Sequence, residues 1–210
     1  MDKGLVLVHA RGMGLYVGHF DFTAPLLWTV PALFTAEECA NILEQGKPGP
    51  WLAATVNAES GRVVDTRIRS STTAVLRDPA LADELFRRIR PHVPARMTTE
   101  MGDRGRIGMD VVGIYLPLRI YRYEVGQQFG LHQDQSYAGE GGTQSLLTLM
   151  VYLNEGFSGG ETDFPEQSRT IVPKTGESLL FQHKLLHAGK PVTEGTKYVL
   201  RSDVLYRPAT

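Results

Sequence analysis

The chain has 210 residues and a mass of 23.2 kDa, with 42% hydrophobic and 21% charged residues. This composition is typical of one globular domain that buries its core without disulfides, and it excludes disordered and fibrous proteins. Lysine and arginine number 22 against 23 aspartate and glutamate, which gives a formal charge of −1. Charge therefore provides no global attraction to nucleic acid or to an anionic membrane.

The compartment is inferred from the apolar runs and the cysteine count. The longest apolar runs, such as 146–153, are far shorter than the roughly 20 residues needed to cross a bilayer. The first residues lack the basic and apolar regions of a signal peptide. One cysteine, Cys39, allows no internal disulfide and is compatible with a reducing compartment. We therefore expect a cytoplasmic protein with no nucleic-acid or membrane partner, and the oligomeric state stays open.

Two helices are predicted in the first half. Thr35-Ala36-Glu37-Glu38 forms a capping box that opens a helix ending at Gly46. Asp78-Pro79 supplies an N-cap and a first-turn proline for a second helix that runs through Ile89. The basic cluster at the end of this second helix complements its dipole, an interpretation preferred to a nucleic-acid patch. Its members are Arg87, Arg88 and Arg90.

A β-rich region is predicted from about Met109 onward. β-Branched and aromatic runs, separated by glycine turns, predict strands at 111–116, 118–125, 145–153, 169–172, 178–181 and 197–206. This order favours a sandwich or jelly roll over an alternating parallel α/β sheet. We predict a single domain, 1–210, mainly β with flanking N-terminal helices. Residues 1–108 form a helical and strand support region, and 109–207 form the β core.

The segment His132-Gln133-Asp134 is a candidate metal site. In an extended segment, residues two apart project to the same side, so the imidazole and the carboxylate converge. One more histidine completes the two-histidine, one-carboxylate triad that suits non-haem Fe(II) chemistry. The candidate is His187, 55 residues downstream of His132. The remaining histidines outside the 183–187 segment are interpreted as packed or solvated side chains: His9, His19 and His92.

His183 competes with His187 for the third ligand position. Their spacing is that of the zinc metalloprotease helix, but Lys184 stands where that pattern needs glutamate, and a strand precedes it. His187 is favoured because Lys197 follows ten residues later and shares a strand face with Arg201. Strand cations are usually solvated, but two on one face close to a metal ligand can instead hold a dicarboxylate.

Five segments carry a resemblance to a known family. They contain the His132-Gln133-Asp134 motif, a Gly159-Gly160 turn, and His187 followed by Lys197, and they lie at 123–134, 149–154, 159–165, 172–177 and 187–198. In this order they resemble the 2-oxoglutarate-dependent Fe(II) dioxygenases of the prolyl 4-hydroxylase type. The resemblance covers roughly the C-terminal half, and an ordered set is far more specific than a lone HxD motif.

The resemblance implies a double-stranded β-helix, which is a cupin-like jelly roll. It implies one Fe(II) held by His132, Asp134 and His187, with 2-oxoglutarate and O2 as co-substrates and ascorbate as a candidate reductant. The implied activity is hydroxylation of an unactivated C–H bond in an amino acid, a prolyl peptide or a related small molecule. Succinate and CO2 would be released.

The same resemblance assigns residues to the 2-oxoglutarate pocket. Lys197 stands where the family places the basic partner of the distal carboxylate, and Tyr123 and Tyr152 match positions of that pocket. Both tyrosines fit core packing equally well. Arg201 departs from the family, which generally has a smaller residue there, and its guanidinium offers a bidentate fork that lysine lacks. The sequence leaves open whether Lys197 or Arg201 binds the distal carboxylate.

Three further residues are candidates for substrate contact. Segment 67–71 resembles the Arg-Ser segment that borders the substrate entrance in prolyl hydroxylases. Strand alternation would place Arg67 and Arg69 on one face, for which solvent exposure is the simpler interpretation. The glycine-rich loop 136–143, which contains Tyr137, is predicted to be a flexible lid.

Two alternative functions remain. A non-catalytic cupin-like binding or sensor protein would be favoured by a missing ligand or basic residue, and here all are present. A nucleic-acid demethylase of the same chemistry would be favoured by a basic stripe with interleaved aromatic residues, and this sequence has none.

Overall fold

The computed structural model describes residues 20–47, 49–58, 61–100 and 105–209. His9, His19 and the first residues, on which the signal-peptide prediction depends, lie outside the described residues. Within these ranges, no helix is long and apolar enough to cross a membrane.

Both predicted helices are confirmed, α1 at Ala36–Gly46 and α2 at Pro79–Ile89. The capping box at α1 is complete, because Thr35 Oγ1 accepts the Glu38 N–H at 3.2 Å while the Glu38 carboxylate accepts the Thr35 N–H at 2.8 Å. At α2, Asp78 Oδ1 accepts the Leu81 N–H at 3.0 Å. Local capping chemistry therefore determines where both helices begin.

The arginines at the end of α2 do more than complement the helix dipole. Arg88 binds Glu84 on its own helix at 2.6 Å and Glu38 on α1 at 2.5 Å. Its guanidinium also lies 4.4 Å from the ring centre of Phe34. The hydrogen bonds from Arg88 lower the pKa of Glu38 to about 2. Arg88 therefore joins the two helices, which explains this residue without a nucleic-acid partner.

The remaining structure is antiparallel β. The strands in chain order are β1 (Leu27–Val30), β2 (Leu52–Ala53), β3 (Val56–Ala58), β4 (Gly61–Val63), β5 (Thr72–Leu76), β6 (Arg96–Glu100), β7 (Arg106–Ile114), β8 (Leu118–Tyr123), β9 (Phe129–His132), β10 (Gln144–Tyr152), β11 (Ser158–Gly159), β12 (Thr162–Phe164), β13 (Arg169–Ile171), β14 (Ser178–Gln182), β15 (His187–Gly189), β16 (Val192–Glu194) and β17 (Lys197–Pro208).

The core strands form two sheets, and the chain alternates between them. The larger sheet contains the series β14-β10-β17-β8, and the smaller sheet contains β13-β12-β15-β9. The chain passes between them from β8 to β9, to β10, to β12 and β13, to β14, to β15 and to β17. This alternation between two facing sheets is the double-stranded β-helix, so the predicted fold class is confirmed.

Strands that precede Met109 extend the larger sheet. β1 pairs with β14, β5 pairs with β8, and β6 pairs with β7. The region before Met109, predicted to contain helices and strands, therefore contributes strands to the larger sheet. The early strands are short and interrupted by helices, so their alternation is too brief to be read from the sequence alone.

The two faces of the larger sheet have different partners. Leu200 of β17 belongs to the core that packs against α1 and α2, together with Ile42, Leu85 and Ile89. Side chains on the opposite face of β17 point between the two sheets, where Lys197, Val199 and Arg201 line a cavity. The candidate site therefore lies inside the β-helix, away from the helices.

Candidate functional site

His132, Asp134 and His187 meet at one point between the sheets. His132 at the end of β9 is directly paired with His187 at the start of β15, and Asp134 follows two residues later. The Nε2 of His132 lies 3.6 Å from Asp134 Oδ1, and the Nε2 of His187 lies 3.8 Å from Asp134 Oδ2. One ligand atom from each residue lies within 4.8 Å of the others.

Backbone carbonyls orient both imidazoles. His132 Nδ1 donates to Gly130 O at 2.8 Å, and His187 Nδ1 donates to Leu185 O at 2.9 Å. Each Nε2 is therefore an acceptor directed toward the same point, as in metal sites where the second ring nitrogen is held by an outer partner. Burial lowers the pKa of His187 to about 3, so this ring is neutral, as a metal ligand must be.

Asp134 is held as a carboxylate by its neighbours. Its Oδ2 accepts from Thr148 Oγ1 at 2.6 Å and from Arg201 Nη2 at 2.9 Å. Burial by itself raises the pKa of Asp134, but the charge of Arg201 outweighs it. The guanidinium holds that pKa well below its usual value. The carboxylate is therefore ionised and fixed on its Oδ2 side.

His183 lies behind this cluster and does not join it. Its Nδ1 lies 2.8 Å from Thr148 Oγ1, and its Nε2 lies 2.9 Å from Ser145 Oγ. Because Thr148 donates to Asp134, it accepts from the Nδ1–H of His183. Residues 183–186 form a turn, so no helix places His183 and His187 on one face. His183 supports Asp134 through Thr148.

The donor set fits Fe(II). Two imidazole nitrogens and one carboxylate oxygen are the facial ligands of non-haem Fe(II) oxygenases. They face a cavity whose lining is partly aromatic and partly cationic. That lining is Arg69, Tyr121, Tyr123, Phe129, His132, Asp134, Met150, Thr162, His187, Gly189, Lys197, Val199 and Arg201.

Lys197 is a buried cation in this cavity. Its side chain is 3% exposed, and its Nζ donates to Gly160 O. Gly160 has a positive φ of 70° in a crowded turn, and an added Cβ would lie 3.1 Å from the Lys197 side chain. In the part of the chain that the structure describes, no carboxylate lies within ion-pair distance of Lys197. The charge of Glu161 affects the pKa of Lys197 only from a longer distance. Burial lowers the pKa of Lys197 to about 8.

Arg201 differs from Lys197 in having carboxylate partners. Its Nη2 lies 2.9 Å from Asp134 Oδ2 and 3.4 Å from Asp203 Oδ1. Burial alone lowers the pKa of Arg201, but these two carboxylates outweigh it and raise that pKa further. The protein itself therefore balances the charge of Arg201, whereas the charge of Lys197 has no direct carboxylate partner among the residues that the structure describes.

The two predicted tyrosines have different positions. Tyr123 lines the cavity, and Lys197 Nζ lies 5.5 Å from its ring centre. Tyr152 is fully buried, its ring centre lies 5.4 Å from Lys197 Nζ, and its hydroxyl bonds Thr162 Oγ1 at 2.8 Å. Burial raises the pKa of Tyr152, so its hydroxyl is neutral. Thr162, which no sequence pattern indicated, lines the cavity and connects Tyr152 to it.

The three candidate substrate residues are separated in the structure. Arg69 lines the cavity and is buried, whereas Arg67 is exposed and pairs with Asp65 at 2.7 Å. The two do not share a face, because residues 66–68 form a turn in which the Arg69 N–H donates to Asp65 O. Tyr137 is 39% exposed and packs against Tyr115, outside the cavity lining.

Two aromatic cavity residues, Tyr121 and Phe129, were not identified from the sequence. Tyr121 lies two residues before Tyr123 on β8, so strand periodicity places both on the same face. Phe129 lies three residues before His132, and its ring stacks on the imidazole with centres 3.5 Å apart. Alternation could have identified Tyr121, but nothing in the local sequence indicates the stacking of Phe129. His92 is exposed, as interpreted.

Comparisons with known proteins agree with this geometry. The family model of the 2OG-Fe(II) oxygenase superfamily matches residues 118–202, from the start of β8 into β17. Probable prolyl 4-hydroxylase 3 of Arabidopsis thaliana is 26% identical, over 90% of this chain and 74% of the relative. The chain spans 63% of the length of two further Arabidopsis prolyl 4-hydroxylases that it matches.

Solved structures share the fold. The 2OG complex of the viral collagen prolyl hydroxylase from Paramecium bursaria Chlorella virus-1 matches with a TM-score of 0.55 and 22% identity, covering 87% of this chain and 97% of that one. The Trichoplax adhaerens prolyl hydroxylase, in complex with a hypoxia inducible factor oxygen degradation domain peptide fragment, matches with a TM-score of 0.60 and 16% identity, covering 85% and 82%. Residues 118–202 therefore match the 2OG-Fe(II) oxygenase superfamily, and the chain is similar to prolyl 4-hydroxylases in sequence and to prolyl hydroxylases in fold.

Proposed function

We propose that this protein hydroxylates an unactivated C–H bond of a peptide or amino acid, consuming 2-oxoglutarate and O2 and releasing succinate and CO2. One observation carries the proposal. The cluster of His132, Asp134 and His187 opens into the same cavity as Lys197, a buried cation with no direct carboxylate partner within the described ranges. This cavity therefore has a metal-binding end and a carboxylate-binding position, the two features that 2-oxoglutarate requires.

Each residue has a defined task in this proposal. His132, Asp134 and His187 hold the Fe(II), and Fe(II), when bound, supplies the activation of dioxygen beside the co-substrate. Lys197 pairs with the distal carboxylate, because a buried carboxylate without a partner costs several kcal/mol. Tyr123 contributes to the wall around that carboxylate.

The protein also orients the ligands and excludes water. Phe129 stacks on His132, and Phe164 and Phe181 pack against His187 with ring centres 5.5 and 4.5 Å away. These rings limit movement of both imidazoles, so the metal ligands are preorganised.

A proline-containing peptide is the first substrate class to test. Matched relatives are named prolyl 4-hydroxylases, and one solved neighbour is a complex with a peptide fragment. Free amino acids are the second class. We keep the cytoplasm as the proposed location, because the single cysteine, Cys39, is buried and unpaired and is compatible with a reducing compartment.

The direct experiment measures succinate formation from 2-oxoglutarate after anaerobic loading with Fe(II). Proline peptides and free amino acids are screened as substrates, with ascorbate as reductant and mass spectrometry for an added oxygen. We expect succinate and hydroxylated product in equal amounts for one substrate class, with Asp134→Ala as the inactive control. Fe(II)-loaded protein that fails to bind 2-oxoglutarate would contradict the proposal.

Binding of 2-oxoglutarate is expected to weaken as the pH rises above about 8. Lys197 is a cation below its pKa and neutral above it, and burial lowers that pKa to about 8 before the ligand binds. The dissociation constant should then rise by up to about tenfold per pH unit, until the raised pKa of the complex is reached. Anaerobic titration between pH 7 and 9 measures this dependence. Lys197→Arg, which stays charged, should abolish the slope, and an identical slope in both proteins would assign it to another group.

A further inference from the structure

Arg69 enters the cavity from outside the eight-strand core. It forms an isolated bridge with Phe129, and the Gly130 N–H donates to Ile68 O at 2.7 Å, which fixes the segment against β9. The Arg69 residue is 8% exposed. The N-terminal region therefore places a buried guanidinium beside the strand that carries His132.

Aromatic rings fix the plane of the Arg69 guanidinium, and the hydroxyls of Ser71, Tyr121 and Tyr123 interact with part of its donor edge. The guanidinium carbon lies 3.9 Å from the ring centre of Tyr121 and 4.2 Å from that of Phe129. Its Nε donates to Ser71 Oγ at 3.2 Å. A guanidinium has five N–H donors along its edge, so a planar acceptor in the cavity can still be bound by two of them.

In the described part of the chain, the charge of Arg69 has no carboxylate counterpart. Across the described residues, no carboxylate lies within ion-pair distance of Arg69, and Asp134, the acid of this cavity, pairs with Arg201 instead. Arg201 itself repels Arg69. Burying a cation without an ion partner costs free energy, so a ligand that brings an anion to Arg69 would be favoured.

We propose that Arg69 forms a second carboxylate-binding position in this cavity, separate from Lys197. The proposal rests on the proposed function. The carboxylate has two sources, which are 2-oxoglutarate itself or the primary substrate. In the second case the enzyme selects a free amino acid or a C-terminal residue over an internal residue of a peptide.

The first arm of the test compares Arg69→Gln with Arg67→Gln, a matched arginine that is exposed and lies outside the cavity lining. Each Fe(II)-loaded protein is titrated anaerobically with 2-oxoglutarate, following the metal-to-ligand charge-transfer band and the ligand-induced rise in Tm. If Arg69 binds a carboxylate of 2-oxoglutarate, the dissociation constant rises at least tenfold in Arg69→Gln only.

The second arm uses L-proline and L-prolinamide, which differ in the carboxylate. Each is titrated into the anaerobic Fe(II) complex saturated with 2-oxoglutarate, again following the charge-transfer band. If Arg69 binds a substrate carboxylate, the wild type favours L-proline at least tenfold, and Arg69→Gln loses this preference. Unchanged 2-oxoglutarate affinity, together with no Arg69-dependent preference between the two probes, overturns the proposal.

Two controls separate the possible failures. Arg69→Lys keeps the positive charge but loses the bidentate guanidinium donors, so it should bind the carboxylate more strongly than Arg69→Gln and more weakly than the wild type. If Arg69→Gln does not fold, the comparison is made with Arg69→Lys. Wild-type protein that shows no 2-oxoglutarate band contradicts the proposed function. A normal wild-type band with an unaffected Arg69 variant in both arms contradicts only the role of Arg69.

Discussion

Replacing His187 with alanine should abolish turnover and lower Fe(II) affinity by more than 100-fold, whereas replacing His183 should have a smaller effect. His187 offers its Nε2 to the cluster, and a three-ligand site cannot lose one ligand and keep its metal. Both ring nitrogens of His183 are already bonded to Thr148 and Ser145. His183→Ala acts only through the support of Asp134, which is worth about 10–100-fold.

Metal content after anaerobic equilibrium dialysis separates these variants, and circular dichroism shows whether each remains folded. His132→Ala and Asp134→Ala should behave like His187→Ala, because each removes one of the three ligands. Retained Fe(II) in His187→Ala beside lost Fe(II) in His183→Ala would make His183 the ligand and contradict the structure.

Lys197→Ala should weaken 2-oxoglutarate binding by about 2–5 kcal/mol, which is roughly 30-fold or more. The reason is the unmatched charge that remains when one partner of a buried ion pair is removed. Lys197 is 3% exposed and has no direct carboxylate partner among the described residues. A ligand carboxylate therefore does not compete with a protein carboxylate for the Lys197 ammonium.

Arg201→Ala should have a different effect, because Arg201 is already paired. Its loss leaves Asp134 and Asp203 without their cation in a buried site, which should weaken Fe(II) binding and lower Tm. At saturating Fe(II), its effect on 2-oxoglutarate affinity should be smaller than that of Lys197→Ala.

Anaerobic titration of 2-oxoglutarate, at a metal concentration that saturates each variant, distinguishes the two cations. A nearly normal Lys197→Ala beside a severely weakened Arg201→Ala would transfer the distal carboxylate to Arg201. Lys197→Arg is the matched control for charge. It should retain more affinity than Lys197→Ala if the ammonium acts as a cation.

The sequence predicted those features of the fold and the site that depend on contacts between residues close together in the chain. The caps at Thr35 and Asp78 are contacts within three residues, so they can be read directly, and both helices begin where predicted. The convergence of His132 and Asp134 depends only on their separation by two in extended backbone. The choice between His183 and His187 could not be made from their spacing, because it depends on whether residues 183–187 form a turn or a helix.

Contacts between distant segments could not be predicted. The pairing of Arg201 with Asp134 requires the antiparallel neighbours β10 and β17 to be in register, with Thr148 opposite Asp203. The burial of Arg69 requires a turn before the core to meet Phe129. A single sequence shows an arginine in each case, and solvent exposure is the usual expectation for an isolated arginine. Both interactions therefore became visible only in the folded structure.

The position of β17 in the larger sheet has a consequence for folding. This strand lies between β10 and β8 and carries both Lys197 and Arg201 on its inner face. Slipping its pairing by one residue would turn both cations to the outer face and bring Tyr198 and Leu200 inward. The chain could then keep much of its β-sheet content and still be inert. Activity therefore requires the correct register of β17 as well as the presence of the site residues.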